Sequence, residues 1–306
     1  MLDSLFDWRL PLLAVFVGSA LYVHYRGKVR HKLSRQLTDH STFLAPINMP
    51  LYAFSAVDNK PIFDRKDFPE LDLLRDNWET IRDEGLALLY DKEIKASAKH
   101  DDAGFHSFFK AGWKRYYLKW YGEPLDSARE SCPKTVAMLA KIPSVKAAMY
   151  TVLPPNSYLG AHRDPYAGSL RYHLGLATPN DQTCNISVDG EIYSWRDGED
   201  VVFDETYIHH AVNDTDKNRL ILFCDVERPM TNAVARIYNK WFSKLFLSAV
   251  ASQNRDGEKV GFLNRVFGVI YPFRLKLKAL KKTNRKLYYA IKCVFFGGLF
   301  YLLFIS

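Results

Sequence analysis

The chain has 306 residues, is 48% apolar and 14% aromatic, and carries a net charge of +8 with four cysteines. That length suffices for one large domain or two ordinary ones with a sizeable core, and the composition excludes low-complexity and disordered classes. Cys132, Cys184, Cys224 and Cys293 form no CxxC pair, which argues against a disulfide scaffold or structural zinc site and fits a reducing compartment.

The positive charge is concentrated in two places. Arg26, Lys28, Arg30, Lys32 and Arg35 form one acid-free run; Arg274, Lys276, Lys278, Lys281, Lys282, Arg285 and Lys286 form another. Setting those twelve aside leaves 30 basic against 34 acidic residues, which argues against a nucleic-acid groove. Each run borders an apolar stretch, residues 10–25 and 293–305. As helices these are roughly 24 and 20 Å long, short of the ~30 Å hydrocarbon core, although flanking aromatic and basic side chains could extend them. Asp3 and Asp7 precede the first stretch against a single Arg9, unlike the basic start of a secretory signal. Two buried helices of a soluble protein are the competing reading. The position of the basic runs favours membrane association of both ends, as transmembrane helices or lying on the surface, with the 26–286 body on the cytoplasmic side and the cations near anionic headgroups.

In chain order, residues 40–66, with Pro46, Pro50 and Pro61, predict an irregular stretch. Residues 67–89 predict a helix from Leu71, Leu74, Trp78 and Ile81 at helical spacing. Residues 91–104 are polar and predict a solvated loop that includes His100 and Asp102. An aromatic run over 105–121 follows, either core or the wall of a substrate cleft, then a helix over 127–142. From residue 147 short strands alternate with turn signals: 147–153, 169–178, 184–188, 191–195, 200–203, 209–213 and 219–226. Asp189-Gly190 marks a tight hairpin between two of them. The pattern suggests a sandwich, barrel or jelly roll. Helical spacing returns over 231–252, where Val234, Ile237, Tyr238, Trp241, Leu245 and Phe246 recur on one face.

Four of nine histidines (His162, His173, His209, His210) fall within the β-rich segment. His162 and Asp164 form an HxD, a weak signal alone; His100-Asp101-Asp102 is a second one, in the polar loop. Two imidazoles and a carboxylate on one face of a rigid β scaffold suit divalent iron and leave open positions. The i, i+2 spacing puts His162 and Asp164 on one side of a strand, and the second imidazole comes from His209 or His210, whose side chains point oppositely. Arg219, at the start of a strand, offers a bidentate guanidinium for a carboxylate ligand.

The stretch H-R-D-P-x5-R-Y-H-L-G-L from His162, then W-x7-F-D-E-T-Y-I-H-H and N-R-L-I-L-F-C-D-V, resembles the aspartyl/asparaginyl β-hydroxylase family over residues 151–229. The resemblance implies an α+β protein: a double-stranded β-helix (jelly-roll) core with flanking helices and terminal membrane-associated helices. It implies an Fe(II)-dependent dioxygenase with 2-oxoglutarate and O2 as co-substrates. His162 and His209 would be iron ligands, with Asp164 completing a triad where animal peptidyl members have glycine. Arg219 would anchor the distal 2-oxoglutarate carboxylate; Arg171, His173 and Thr151 would line the co-substrate pocket, with Trp195 packing nearby. Membrane-flanked bacterial members are similar over the whole chain, including residues 108–122, which points to an acyl chain of lipid A, or a related membrane lipid, hydroxylated at its 2-position at the inner face of the cytoplasmic membrane. Aspartyl or asparaginyl hydroxylation of a peptide or protein is the alternative. The expected organisation is a membrane anchor and basic flank (1–37), a helical and aromatic substrate-side region (38–146), the jelly-roll core (147–230) and C-terminal helices with a basic flank and membrane-associated end (231–306).

Overall fold

The computed structural model describes residues 9–97 and 102–304; residues 1–8, His100 and Asp101 are outside them. Among the described residues, ten antiparallel strands form two sheets: β1 (Ile62–Phe63), β2 (Lys114–Trp120), β3 (Val145–Leu153), β4 (Ser157–His162), β5 (Ser169–Ala177), β6 (Cys184–Val188), β7 (Glu191–Ser194), β8 (Asp200–Phe203), β9 (His209–Asn213) and β10 (Arg219–Glu227). The large sheet runs β1-β8-β5-β10-β3-β2 and the small one β4-β9-β6-β7. From β3 onward successive strands alternate between the two sheets, except for the β6–β7 hairpin within the small one, which is the double-stranded β-helix. The β6–β7 hairpin turns on Asp189 and Gly190, both with positive φ (52° and 91°), so glycine is suited to the second turn position.

Packing follows from the alternation of strand side chains. One cluster lies between the large sheet and the helices, with Leu74, Ile81, Leu88 and Leu139 against Tyr116, Tyr172 and Leu222. The other fills the space between the sheets, with Trp113, Met149, Ile186, Trp195, Ile221 and Phe223. Each large apolar side chain buried this way contributes about 1.5–3 kcal/mol. Cys184 and Cys224 are small buried members of the two clusters. The candidate site residues line a cavity in the second, inter-sheet space.

Several expected elements differ. The helix over 67–89 is broken into Pro69–Leu71, Asp72–Arg75 and Trp78–Tyr90. Asn77, at the break, donates its amide to the Leu73 carbonyl (2.8 Å), competing with the backbone ladder. The helix over 127–142 divides into Asp126–Ser131 and Pro133–Ala140, because Pro133 disfavours a helical conformation at Cys132 (φ −135°, ψ 50°). The aromatic run contains strand β2, which joins the large sheet and buries Tyr116 and Tyr117 on opposite faces. Asp102 is not solvated: it is buried, accepting hydrogen bonds from Arg115 Nε (2.9 Å) and Tyr117 Oη (3.1 Å).

No helix among the described residues is long and apolar enough to cross a membrane, so the transmembrane reading of the ends finds no support there. The N-terminal helix Arg9–Tyr25 has 17 residues, about 26 Å, and the C-terminal helix Arg285–Phe304 carries Arg285, Lys286 and Lys292. The first basic run is also partly structural. Arg26 is buried, paired with Asp204 and stacked between the rings of Tyr52 (4.2 Å) and Tyr207 (4.0 Å). Asp189 accepts the backbone N–H of Lys28 (2.9 Å) and Val29 (2.8 Å), tying this segment to the β6–β7 turn.

Candidate metal centre

The centre forms where β4 ends and β9 begins. His162, the last residue of β4, is the cross-strand partner of His209, the first of β9, and their ring centroids are 4.3 Å apart. Sequence alone does not show β4, whose short run is interrupted by Gly160. Asp164 lies beyond the strand rather than on it, because Pro165 follows and cannot continue a ladder. Its backbone N–H donates to the Glu205 carbonyl (2.9 Å), which turns the carboxylate back toward the two rings. His162, Asp164 and His209 each offer a ligand atom, all within 4.8 Å of one another.

The protonation state of each ligand suits a cation. His209 Nδ1 lies 3.0 Å from the Tyr207 carbonyl and His162 Nδ1 lies 2.7 Å from the Gly160 carbonyl. With those nitrogens as donors, both Nε2 lone pairs are directed into the centre. Burial pushes the His209 imidazolium down to about 3, with the His162 ring adding to the effect; burial also lowers His162. Burial opposes charge on Asp164, but Arg171 and the two imidazoles outweigh it and hold the carboxyl below its usual range. His210 points the other way, against Tyr158 (5.7 Å between rings), and does not reach the centre.

A cavity leads inward from the three candidate ligands, lined by Thr151, His173, Trp195, Phe203 and Arg219, with Phe108 and Trp113 at its wall. The Phe108 ring meets His162 edge-on at 4.8 Å. Arg219 is fully buried: Nη2 donates to Thr151 Oγ1 (3.3 Å), and Cζ sits 4.4 Å over the Trp195 ring. Its Nε has no partner, and burial without a carboxylate pushes the guanidinium down to about 10. Both His173 nitrogens also lack partners, and burial, then Arg219 and Arg171, keep the ring neutral. A buried unpaired cation beside unsatisfied polar atoms matches a bound carboxylate.

Arg171 lines the same cavity but is already committed. It pairs with Asp164 (2.7 Å), Asp225 (3.0 Å) and Glu205. Asp225 faces Arg171 directly across β10–β5 and also accepts from Tyr121 Oη (2.9 Å); Glu205 accepts from Ser169 Oγ (2.7 Å). Burial, then the neighbouring carboxylates against Arg171, pushes Glu205 well above its usual range; burial likewise raises Asp225. Sequence reasoning missed Glu205, Asp225 and Tyr121; the F-D-E-T run contained Glu205 and the F-C-D-V run Asp225, but only the fold sets both carboxylates on Arg171 and Tyr121 on Asp225.

Residues 75–229 match the family model described as aspartyl/asparaginyl beta-hydroxylase. The ornithine lipid ester-linked acyl 2-hydroxylase of Rhizobium tropici is 33% identical over 61% of this chain and 66% of its own length. Human aspartyl/asparaginyl beta-hydroxylase is 29% identical over 58% of this chain but only 24% of that protein. The chain therefore spans just under two thirds of the first relative and about a quarter of the second. A prolyl-4-hydroxylase structure from Pseudomonas putida aligns at 15% identity over 52% of this chain and 87% of that one, with a TM-score of 0.34, too loose to bear on function. With half of its length matched by the family model, the chain belongs to the aspartyl/asparaginyl β-hydroxylase family.

Proposed function

We propose that the chain is an Fe(II)- and 2-oxoglutarate-dependent dioxygenase that hydroxylates an acyl chain of a membrane lipid at its 2-position. The observation that carries this reading is the buried Arg219, unpaired at Nε, in the cavity that also presents the three ligand atoms of His162, Asp164 and His209. Those three residues would hold the iron, and Arg219 with Thr151 would take the far carboxylate of 2-oxoglutarate. When bound, iron with 2-oxoglutarate and O2 supplies the oxidation that puts one oxygen into a C–H bond and releases succinate and CO2. The chain's own part is placement. His162 and His209 stay neutral, Arg171 fixes Asp164 through one carboxylate oxygen, and the apolar wall of Phe108, Trp113 and Leu159 excludes water from the reacting carbon.

Lipid A is the substrate favoured by the whole-chain resemblance to membrane-flanked bacterial members; the Rhizobium relative acts on an ornithine lipid acyl chain. The terminal helices, with Leu10, Leu12, Leu13 and Val15 exposed at one end and Ile291 and Val294 at the other, would lie on the cytoplasmic face of the membrane. Mass spectrometry of lipids from cells with and without the gene tests the substrate. The expected result is one added oxygen in a lipid A acyl chain. The same gain on an ornithine lipid instead would reassign the headgroup, and unchanged lipids throughout would turn the reading to aspartyl or asparaginyl hydroxylation of a peptide.

A further inference from the structure

The helix Ala233–Phe242, continued by the turn Ser243–Leu247, has an apolar face that the fold does not cover. Ala235, Asn239 and Phe242 face inward, Phe242 stacking on Tyr166 (5.4 Å between rings). Val234, Ile237, Trp241 and Leu245 form an outward strip and are 78%, 68%, 61% and 59% exposed. Arg236, Lys240 and Lys244, all exposed and four residues apart, border that strip on one side. Residues 231–254 contain no acid.

We propose that this helix is a bilayer-docking element, distinct from the two terminal helices, that sits at the headgroup level of an anionic membrane. An exposed tryptophan among aliphatic side chains, bordered by a cationic row, is the chemistry of an interfacial helix. Charge decides against a second copy as the occupant: a self-complementary contact here would bring cationic rows together with no acid from residues 231–254 to pair them. Anionic headgroups supply the missing charge. The helix also packs on Ala45–Ala53, through Tyr238 Oη donating to the Ile47 carbonyl (3.0 Å), and that helix packs on Arg9–Tyr25 with its own exposed apolar residues. The inference rests on the lipid reading only in naming a membrane as the partner.

The test uses the full chain and vesicles of phosphatidylethanolamine with phosphatidylglycerol, with or without bromine on the acyl chains. Quenching of wild type minus quenching of Trp241→Phe isolates Trp241. The expected result is that Trp241 is quenched by the brominated vesicles. Co-sedimentation should fall at least about tenfold for Ile237→Glu combined with Trp241→Glu, and about fivefold for each of Lys240→Glu and Lys244→Glu on anionic vesicles only. Vesicle binding with Trp241 unquenched would overturn the proposal. So would a dimer in sedimentation velocity that Ile237→Glu dissociates. Vesicle binding requires neither iron nor turnover, so an inactive chain that still buries Trp241 would count against the enzymatic reading alone.

Discussion

Two buried guanidiniums face the same cavity from opposite situations. Arg171 is surrounded by Asp164, Glu205 and Asp225, more negative charge than it can balance. Arg219 has a threonine hydroxyl, an indole face and no carboxylate. Both side chains come from strands of the large sheet, so the difference lies in what surrounds them. A saturated guanidinium holds structure, here the orientation of Asp164. An unsaturated one costs stability in the free protein and regains it when an anion binds.

That contrast can be broken by substitution. Arg171→Met strands up to three carboxylates, and denaturant unfolding should show a loss of about 3–5 kcal/mol, with weaker iron binding as a secondary effect. Arg219→Met has the same chemistry of change and the opposite expectation. Its unfolding free energy should be unchanged or higher, because an unpaired buried charge is removed, while calorimetric affinity for 2-oxoglutarate should fall on the order of 100-fold. Equal destabilisation by both would erase the distinction. Trp195→Phe keeps a π face under Arg219 with less area, and should raise the KM for 2-oxoglutarate by less than about tenfold with kcat nearly unchanged.

The smallest effect is a pH slope. Glu205 has a folded-state pKa above its unfolded value, so the folded protein binds the extra proton. Its contribution is therefore fully present at low pH and is lost as pH rises through the folded value. Urea midpoints should show wild type losing stability relative to Glu205→Gln as pH rises above the ordinary glutamate range; wild type gaining stability relative to Glu205→Gln over the same rise would mean that Arg171 keeps Glu205 ionised.

The β-rich half was legible because its strands alternate and its turns carry Asp-Gly. β6, β8 and β9 fall at residues 184–188, 200–203 and 209–213 as spacing alone places them. β4 was not, since its order comes from pairing with β9 rather than from its own pattern. His162, Asp164, His209 and Arg219 were legible as candidates because their residue types and spacing are unusual together. The separate roles of Arg171 and Arg219 were not, because they depend on partners up to 68 residues away that only the fold brings near. The helical face at 231–252 shows the same limit: periodicity reveals an apolar strip but cannot say whether protein or solvent meets it, and here Val234, Ile237, Trp241 and Leu245 face outward.

The most direct measurement is an anaerobic calorimetric titration with Fe(II) and then 2-oxoglutarate, for wild type, Asp164→Ala and Arg219→Met. The account predicts one iron and then one 2-oxoglutarate in wild type, weak or no iron binding in Asp164→Ala, and normal iron binding with lost 2-oxoglutarate affinity in Arg219→Met. Iron binding undiminished in Asp164→Ala, or 2-oxoglutarate affinity undiminished in Arg219→Met, would contradict it.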